Sequence, residues 1–489
     1  MGISHSLPSP HAIGYSPIRS LGVIAIAGAA CWFAGCAVAP LPALDERTQA
    51  GWQNAPESST RAPAPDLRGW WKAFNDPQLD QLVDAALADN LTVRQAALRI
   101  DAARALAGTA NAPFLPQLSA HTFSEPAPDS SASYFQMGFD AKWELGLFGR
   151  GQSHVRVIAA DLGIAESDTQ SARVSVIAEV VRTCIDLRGA EQRLALLQQI
   201  AANSDERVRL TATRERLRLA SARELSQAQA EQAGAQAALA EPQLAIDRAR
   251  QRLSVLLARN GPAVDIDAGG PPLQIGDMAI AAAPAELLRT RPEIRRAEND
   301  VLKAAGERGL ARADLFPRLG LGGALSYSAK VIGHTRLSDA DGIVTVGPAI
   351  DIPLFDWGAR RAVLDARDAE LSASLLAYRQ AVLEGVAEVE TAMATLERQR
   401  ERLVALQRGR ADLERGDAAS ATLHRVGLSD GLDRAASSTA LLQAGLEMVQ
   451  AEQERNTAFV ALYKALGGAP LPAAATALDR REPVAEVQR

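Results

Sequence analysis

Phe135-Gln136-Met137-Gly138-Phe139-Asp140-Ala141-Lys142-Trp143-Glu144-Leu145 alternates without a break. In an extended chain successive side chains face opposite sides. Phe135, Met137, Phe139, Ala141, Trp143 and Leu145 therefore share one side. Gln136, Gly138, Asp140, Lys142 and Glu144 share the other. Eleven such residues match a tilted strand that crosses a bilayer, apolar toward lipid and polar toward an interior. A half-buried strand in water carries the same pattern, so the neighbouring sequence has to decide.

The signature recurs. Leu319, Leu321, Gly323, Leu325 and Tyr327 alternate with Gly320, Gly322, Ala324 and Ser326. Val344, Val346, Pro348, Ile350 and Ile352 alternate with Thr345, Gly347, Ala349 and Asp351. Gln117 to Phe123 gives a weaker version. Four strands cannot close a pore, since the smallest membrane barrels need about eight. An open sheet in lipid would leave its edge amides without partners. If these strands cross a membrane, several chains must share one barrel.

Further outward, the chain shows two copies of one plan. A helix is expected from near Pro77 to Phe114-Leu115-Pro116-Gln117-Leu118, and another from near Pro284 to Leu315-Phe316-Pro317-Arg318-Leu319. Pro116 and Pro317 are 201 positions apart, as are Val93 and Ile294, and Ala103 and Ala304. The strand segments close with Leu147-Phe148-Gly149 and Leu354-Phe355-Asp356-Trp357-Gly358, where Phe148 and Phe355 are 207 apart. Two long arms follow in each copy. They end at Leu253-Ser254-Val255-Leu256-Leu257 and Leu462-Tyr463-Lys464-Ala465-Leu466, 209 apart. A fixed order with a slowly drifting offset marks an internal duplication. The repeats are placed at 67–262 and 284–468, with a linker at 263–283.

The arms are long. From Ser153 to Arg216 there is no proline, and Gly163 and Gly189 are the only glycines. At 1.5 Å per residue that arm approaches ~95 Å. Val382, Val386, Val389, Met393, Leu396 and Leu403 fall on alternating four and three spacings, with Arg400 in one slot. This is a heptad seam, which predicts a packed antiparallel hairpin. The period fits a solid coiled coil and the wall of a hole equally well. Pro242 is expected to kink or break the returning arm of the first copy. The hairpin turns fall near Arg218–Leu225 and His424–Asp433. Aromatic residues at 4 % and hydrophobic residues at 47 % agree with long helices. The fold expected is mainly α with a small β part.

Residues 21–34 form an apolar run behind Arg19. It is too short for a membrane span and suits a signal peptide, residues 1–35. The run ends in Phe33-Ala34-Gly35-Cys36, which resembles a bacterial lipoprotein box. Cys36 would then carry the lipid, and Ala37 after it fits the outer membrane. An ordinary signal peptide followed by an incidental cysteine is the other reading. Residues 36–66, rich in Pro, Ala and Ser, form a tether. The tail 469–489 lacks periodicity.

Several functions are disfavoured. A net charge of −6 argues against nucleic-acid binding. Six His and three Cys without clustering argue against a metal site or a disulfide framework. Gly320-x-Gly322-Gly323 precedes no helix, so it is not a phosphate loop. No catalytic constellation stands at a workable spacing. Beyond a lipid on Cys36, no cofactor is expected.

Four stretches carry a resemblance: Trp70-Trp71-Lys72-Ala73-Phe74-Asn75-Asp76-Pro77-Gln78-Leu79-Asp80, Arg291-Pro292-Glu293-Ile294-Arg295-Arg296-Ala297-Glu298, Pro353-Leu354-Phe355-Asp356-Trp357-Gly358, and Leu462-Tyr463-Lys464-Ala465-Leu466-Gly467-Gly468. In order and spacing the chain resembles the TolC-type outer membrane factors of tripartite efflux pumps, in the NodT-like lipoprotein branch. The resemblance implies a homotrimer with a 12-stranded barrel and a 12-helix tunnel. It implies a periplasmic adaptor protein and an inner-membrane transporter as partners, the transporter of resistance–nodulation–division type. Ala220, Ser221, Gly427 and Leu428 would lie at the tip that meets the adaptor. Asp433, with Asp430 beside it, would ring a periplasmic gate. A second acidic position of the family falls on Ala436, and an aromatic and a basic position fall on His424 and Ser429. Both aspartates also fit as ordinary acids at a helix start. Trp143, Phe148, Phe355 and Trp357 fit an aromatic belt at the membrane edge, or core packing. Other roles are a periplasmic coiled-coil scaffolding lipoprotein and the outer membrane duct of a type I secretion system.

Overall fold

Short capping side chains start helices at Asp76, Ser221 and Asp430, and left-handed residues at Arg218, Gly427 and Gly467 stop helices. The structure is a computed structural model that describes residues 44, 52–53, 67–125, 134–260, 273, 275, 291–330 and 342–469. The signal segment, Cys36, most of the tether, the linker 263–283, the start near Pro284 and nearly all of the tail lie outside the described residues. The chain divides into two compact units, one drawn from Ala107–Ala159 and Leu302–Ser372, the other from Leu44–Leu106, Ala160–Val301 and Ala373–Arg489.

The first unit holds one antiparallel sheet in the order β1-β2-β3-β4. Its strands are β1 (Gln117–Glu125), β2 (Tyr134–Glu144), β3 (Arg318–Lys330) and β4 (Gly342–Asp351). Phe139 lies opposite Ala120 on one side and Leu325 on the other, and Leu325 lies opposite Val344. Directly opposed residues share a face, so a continuous apolar face runs across all four strands. Leu118, Phe139, Leu321, Val344, Val346 and Ile350 are exposed on it. The opposite face carries Ser119, His121, Asp140, Lys142, Ser326 and Thr345. There His121 Nδ1 lies 2.9 Å from Asp140 Oδ2.

The second unit holds the large core. A 3-10 turn, Trp70–Phe74, buries Trp70, Trp71 and Phe74. Asp76 caps α1 (Pro77–Asp89) by accepting the Gln78 and Leu79 amides at 2.8 and 3.2 Å. The first helix expected from the sequence is not continuous. Asn90 interrupts it: its Oδ1 caps α2 (Leu91–Gly108) through the amides of Thr92 and Val93. Its buried Nδ2 donates to the Leu256 carbonyl at 2.8 Å. As an N-cap, Asn90 takes a non-helical backbone, with φ −58° and ψ 127°.

The arms are α3 (Arg150–Arg216) and α7 (Ala359–Arg425), each 67 residues. At 1.5 Å per residue each is about 100 Å long. The return arm of the first copy is split into α4 (Ala222–Ala237) and α5 (Ala240–Leu256). Pro242 sits in the first turn of α5, where a missing N–H is harmless, so the break stands just upstream of it. The second return arm, α8 (Gly431–Ala465), is unbroken. The helix α6 (Pro292–Ala313) begins after Arg291. Arg291 is buried, donates to the Gly385 carbonyl at 3.0 Å and pairs with Glu388 at 2.5 Å.

Val389, Met393, Leu396 and Leu403 on α7 are buried, as the heptad spacing requires. Trp70 stacks on Tyr463, ring centres 5.7 Å apart, and its indole N–H donates to the Gly468 carbonyl at 3.1 Å. The entry and exit motifs of the sequence thus close on each other. Among the described residues no helix is long and apolar enough to cross a membrane.

Candidate functional site

The two hairpin tips are built alike. Arg218 takes a positive φ of 59° and Gly427 one of 76°. The Arg218 amide donates to Glu215 and the Leu219 amide to Arg214, both at 2.8 Å. In the second tip the Gly427 amide donates to His424 at 3.1 Å and the Leu428 amide to Leu423 at 2.9 Å. Each is the paired closure that satisfies the last carbonyls of a helix. Three residues past each left-handed residue the next helix is capped. The Ser221 hydroxyl accepts the Glu224 amide at 3.3 Å, and Glu224 Oε2 accepts the Ser221 amide at 2.6 Å. Asp430 Oδ1 accepts the Asp433 amide at 2.9 Å. The closures leave Leu217 and Leu219 exposed on one tip, and Val426 and Leu428 on the other.

Arg214 Nη1 lies 3.0 Å from Asp430 Oδ2, so an ion pair ties the first hairpin to the second at their tips. Asp433 lines a cleft of about 330 Å³ with Arg207, Arg214, Glu224 and Ala436. His424 Nδ1 lies 3.2 Å from the Ser429 carbonyl. Arg434 pairs with Asp417 across the second hairpin. Asp430 is thus the cap of α8 and Asp433 its first-turn acid. Arg214 and the Arg434–Asp417 pair carry no local signal in the sequence. A single charged residue on a polar helix gives no signal of a partner 216 positions away.

The four aromatic candidates part company. The Trp143 indole N–H donates to the Phe114 carbonyl at 3.0 Å. Phe148 is half-buried and stacks on Phe316. Phe355 and Trp357 are exposed and touch edge to face. Ala220, Ser221, Gly427 and Leu428 all fall within the tips.

The sheet with one apolar face and the two long hairpins match a known family. The family model for outer membrane efflux proteins matches residues 82–259 and 283–468. The chain belongs to the outer membrane efflux protein family. As a member it is an outer membrane protein of efflux systems. Nodulation protein T of Rhizobium leguminosarum bv. trifolii is 27 % identical over 425 residues, covering 84 % of this chain and 89 % of its own. Pyoverdine export outer membrane protein OpmQ of Pseudomonas aeruginosa is 27 % identical over 464 residues, covering 90 % and 95 %. The solved structure of the outer-membrane channel OprN superposes with a TM-score of 0.76 at 31 % identity, covering 88 % of this chain and 100 % of that one. The chain has the OprN type of fold, long helical hairpins joined to an antiparallel four-stranded sheet.

Proposed function

We propose that three copies of this chain close one twelve-stranded barrel in the outer membrane. Their helical hairpins line a twelve-helix tunnel, and the assembly is a passive exit duct for small amphiphilic or toxic solutes. One observation carries the proposal. A single chain offers a four-stranded sheet with an exposed apolar face and one open edge on each of β1 and β4. Such a sheet is stable in lipid only if other copies complete it. A scaffolding lipoprotein gives no reason for that face.

The duct performs no chemistry, and an inner-membrane transporter, of the resistance–nodulation–division type, supplies the energy. A periplasmic adaptor docks on the tips through Ala220, Ser221, Gly427 and Leu428, where exposed apolar side chains cluster. Trp143 sits at the membrane edge. Cys36 carries a lipid anchor. Asp430 and Asp433 form the periplasmic gate. The Arg214–Asp430 pair holds the hairpin tips together in the closed state, and docking of the partners separates them.

Planar-bilayer recording of the purified protein tests this reading. The account expects a discrete conductance that rises when Arg214→Ala and Asp430→Ala are combined. A folded trimer that stays silent, even with that pair removed, would overturn it.

A further inference from the structure

Within the sheet, the two copies of the plan meet where β2 pairs with β3. In that seam Phe148 of the first copy stacks on Phe316 of the second, ring centres 5.0 Å apart and planes 13° from parallel. The second copy carries the same knob. Phe148 and Gly149 have φ of 54° and 81°, and Trp357 and Gly358 have 58° and 82°. Each pair directly precedes a helix start, at Arg150 or Ala359. The backbone therefore equates Trp357 with Phe148. The first copy carries the same seat. Leu115 precedes Pro116 and β1 as Phe316 precedes Pro317 and β3. Within the chain this second knob and seat are open: Trp357 is 90 % exposed and Leu115 56 %. Phe355 lies against Trp357, ring centres 4.8 Å apart.

We infer that the Phe355–Trp357 pair of one copy seats on Leu115 of the next copy, and that this seam sets β4 against the neighbouring β1 with Asp351 opposite Ser119. The inference rests on the shared-barrel reading. The register comes from carrying the internal seam over to the open one. Glu144 lies opposite Gly320 within the chain. Asp351 is the counterpart of Glu144 by the offset of 207 that relates the last residues of β2 and β4 and also Leu147 to Leu354, the two extra residues of the second copy falling between Leu354 and Gly358. Ser119 is the counterpart of Gly320 by the offset of 201 that relates the prolines.

Two checks agree. Ile350, on the apolar face, meets Ala120, also on that face. The backbone directions match as well. The Leu145 amide donates to the Leu319 carbonyl at 3.0 Å. Hydrogen-bonding directions alternate along an antiparallel strand, so the odd-numbered residues of β3 turn to β2 and the even-numbered ones to β4. Following the registers outward, the even-numbered residues of both β4 and β1 turn to the open edges. Ile352 and Ile350 then face Leu118 and Ala120 of the next copy, donor against acceptor. Pro348, opposite Thr122, omits a single bond, a position where proline is tolerated in a sheet.

Cysteine pairs in the otherwise native full-length protein test the register. Asp351 and Ser119 would form a non-hydrogen-bonded pair, with Cα atoms ~4.5 Å apart, within disulfide reach. Asp351→Cys with Ser119→Cys is expected to give disulfide-linked dimers and trimers on non-reducing denaturing gels. Asp351→Cys with His121→Cys, two residues out of register, is expected to stay monomeric on the same gels. The native mass of the uncrosslinked protein is measured alongside. Absence of a three-copy particle overturns the shared-barrel reading itself. A three-copy particle in which the matched pair fails to link overturns the register alone. Trp357→Ala is expected to lower the temperature at which the trimer dissociates, and Trp357→Phe to lower it less. An unchanged temperature for Trp357→Ala means that lipid or solvent covers the pair, which overturns the seat.

Discussion

Arg218 holds a left-handed backbone in the first tip where Gly427 holds it in the second. A side chain in that region costs about 1–2 kcal/mol, and Gly427 has no neighbour within 4 Å of an added Cβ. Gly427→Ala should therefore weaken the second tip through its backbone alone, by about 1 kcal/mol, and Arg218→Gly should strengthen the first by a similar amount. Hydrogen exchange at Leu219 and Leu428 reads both, with changes of about fivefold in opposite directions. Cys184 offers a second test. It is buried, and burial pushes its thiol up to about 12 from an ordinary 9.0. The raised value means that the stability tied to the neutral thiol is complete below pH 9.0 and is lost as pH rises toward about 12. At pH 8 the folded protein should leave Cys184 unalkylated by iodoacetamide, and unfolding should expose it. Rapid alkylation of the native protein would contradict that burial.

At the scale of elements, the start of α4 carries a pH-dependent contact. The backbone and hydroxyl of Ser221 hold the Glu224 carboxyl below its ordinary 4.5. A lowered carboxyl contributes stability that is present above 4.5 and lost as pH falls through the folded-state value. Exchange at Leu225, whose amide donates to Ser221, should speed on acidification below pH 4.5, and Glu224→Gln should flatten that dependence. The elements also show what a sequence discloses. The alternation of β2, the heptad seam of α7 and both tips were readable because period and turn chemistry are local. The weak β1 pattern forms a full strand because β2 pairs along all of it. The break at Asn90 rests on local caps to Thr92 and Val93 that the apolar period does not reveal, and the further bond to Leu256, 166 positions away, leaves no trace in the sequence. The match of Trp357 rather than Phe355 to Phe148 was hidden by a longer connection in the second copy. The Arg214–Asp430 tie needed coordinates for the same reason: its partners meet only after both arms have folded.

The whole molecule is an incomplete object. Its sheet has an apolar face, a polar face and two open edges. Four strands close nothing, whereas twelve from three copies suffice. The proposed gate and the proposed aromatic seat both presuppose that closure. Native mass spectrometry of the protein released from lipid nanodiscs tests it most directly. The account predicts a particle of three chains, with no stable species of one. A single chain that remains folded in the bilayer, or a particle of any other copy number, would contradict it.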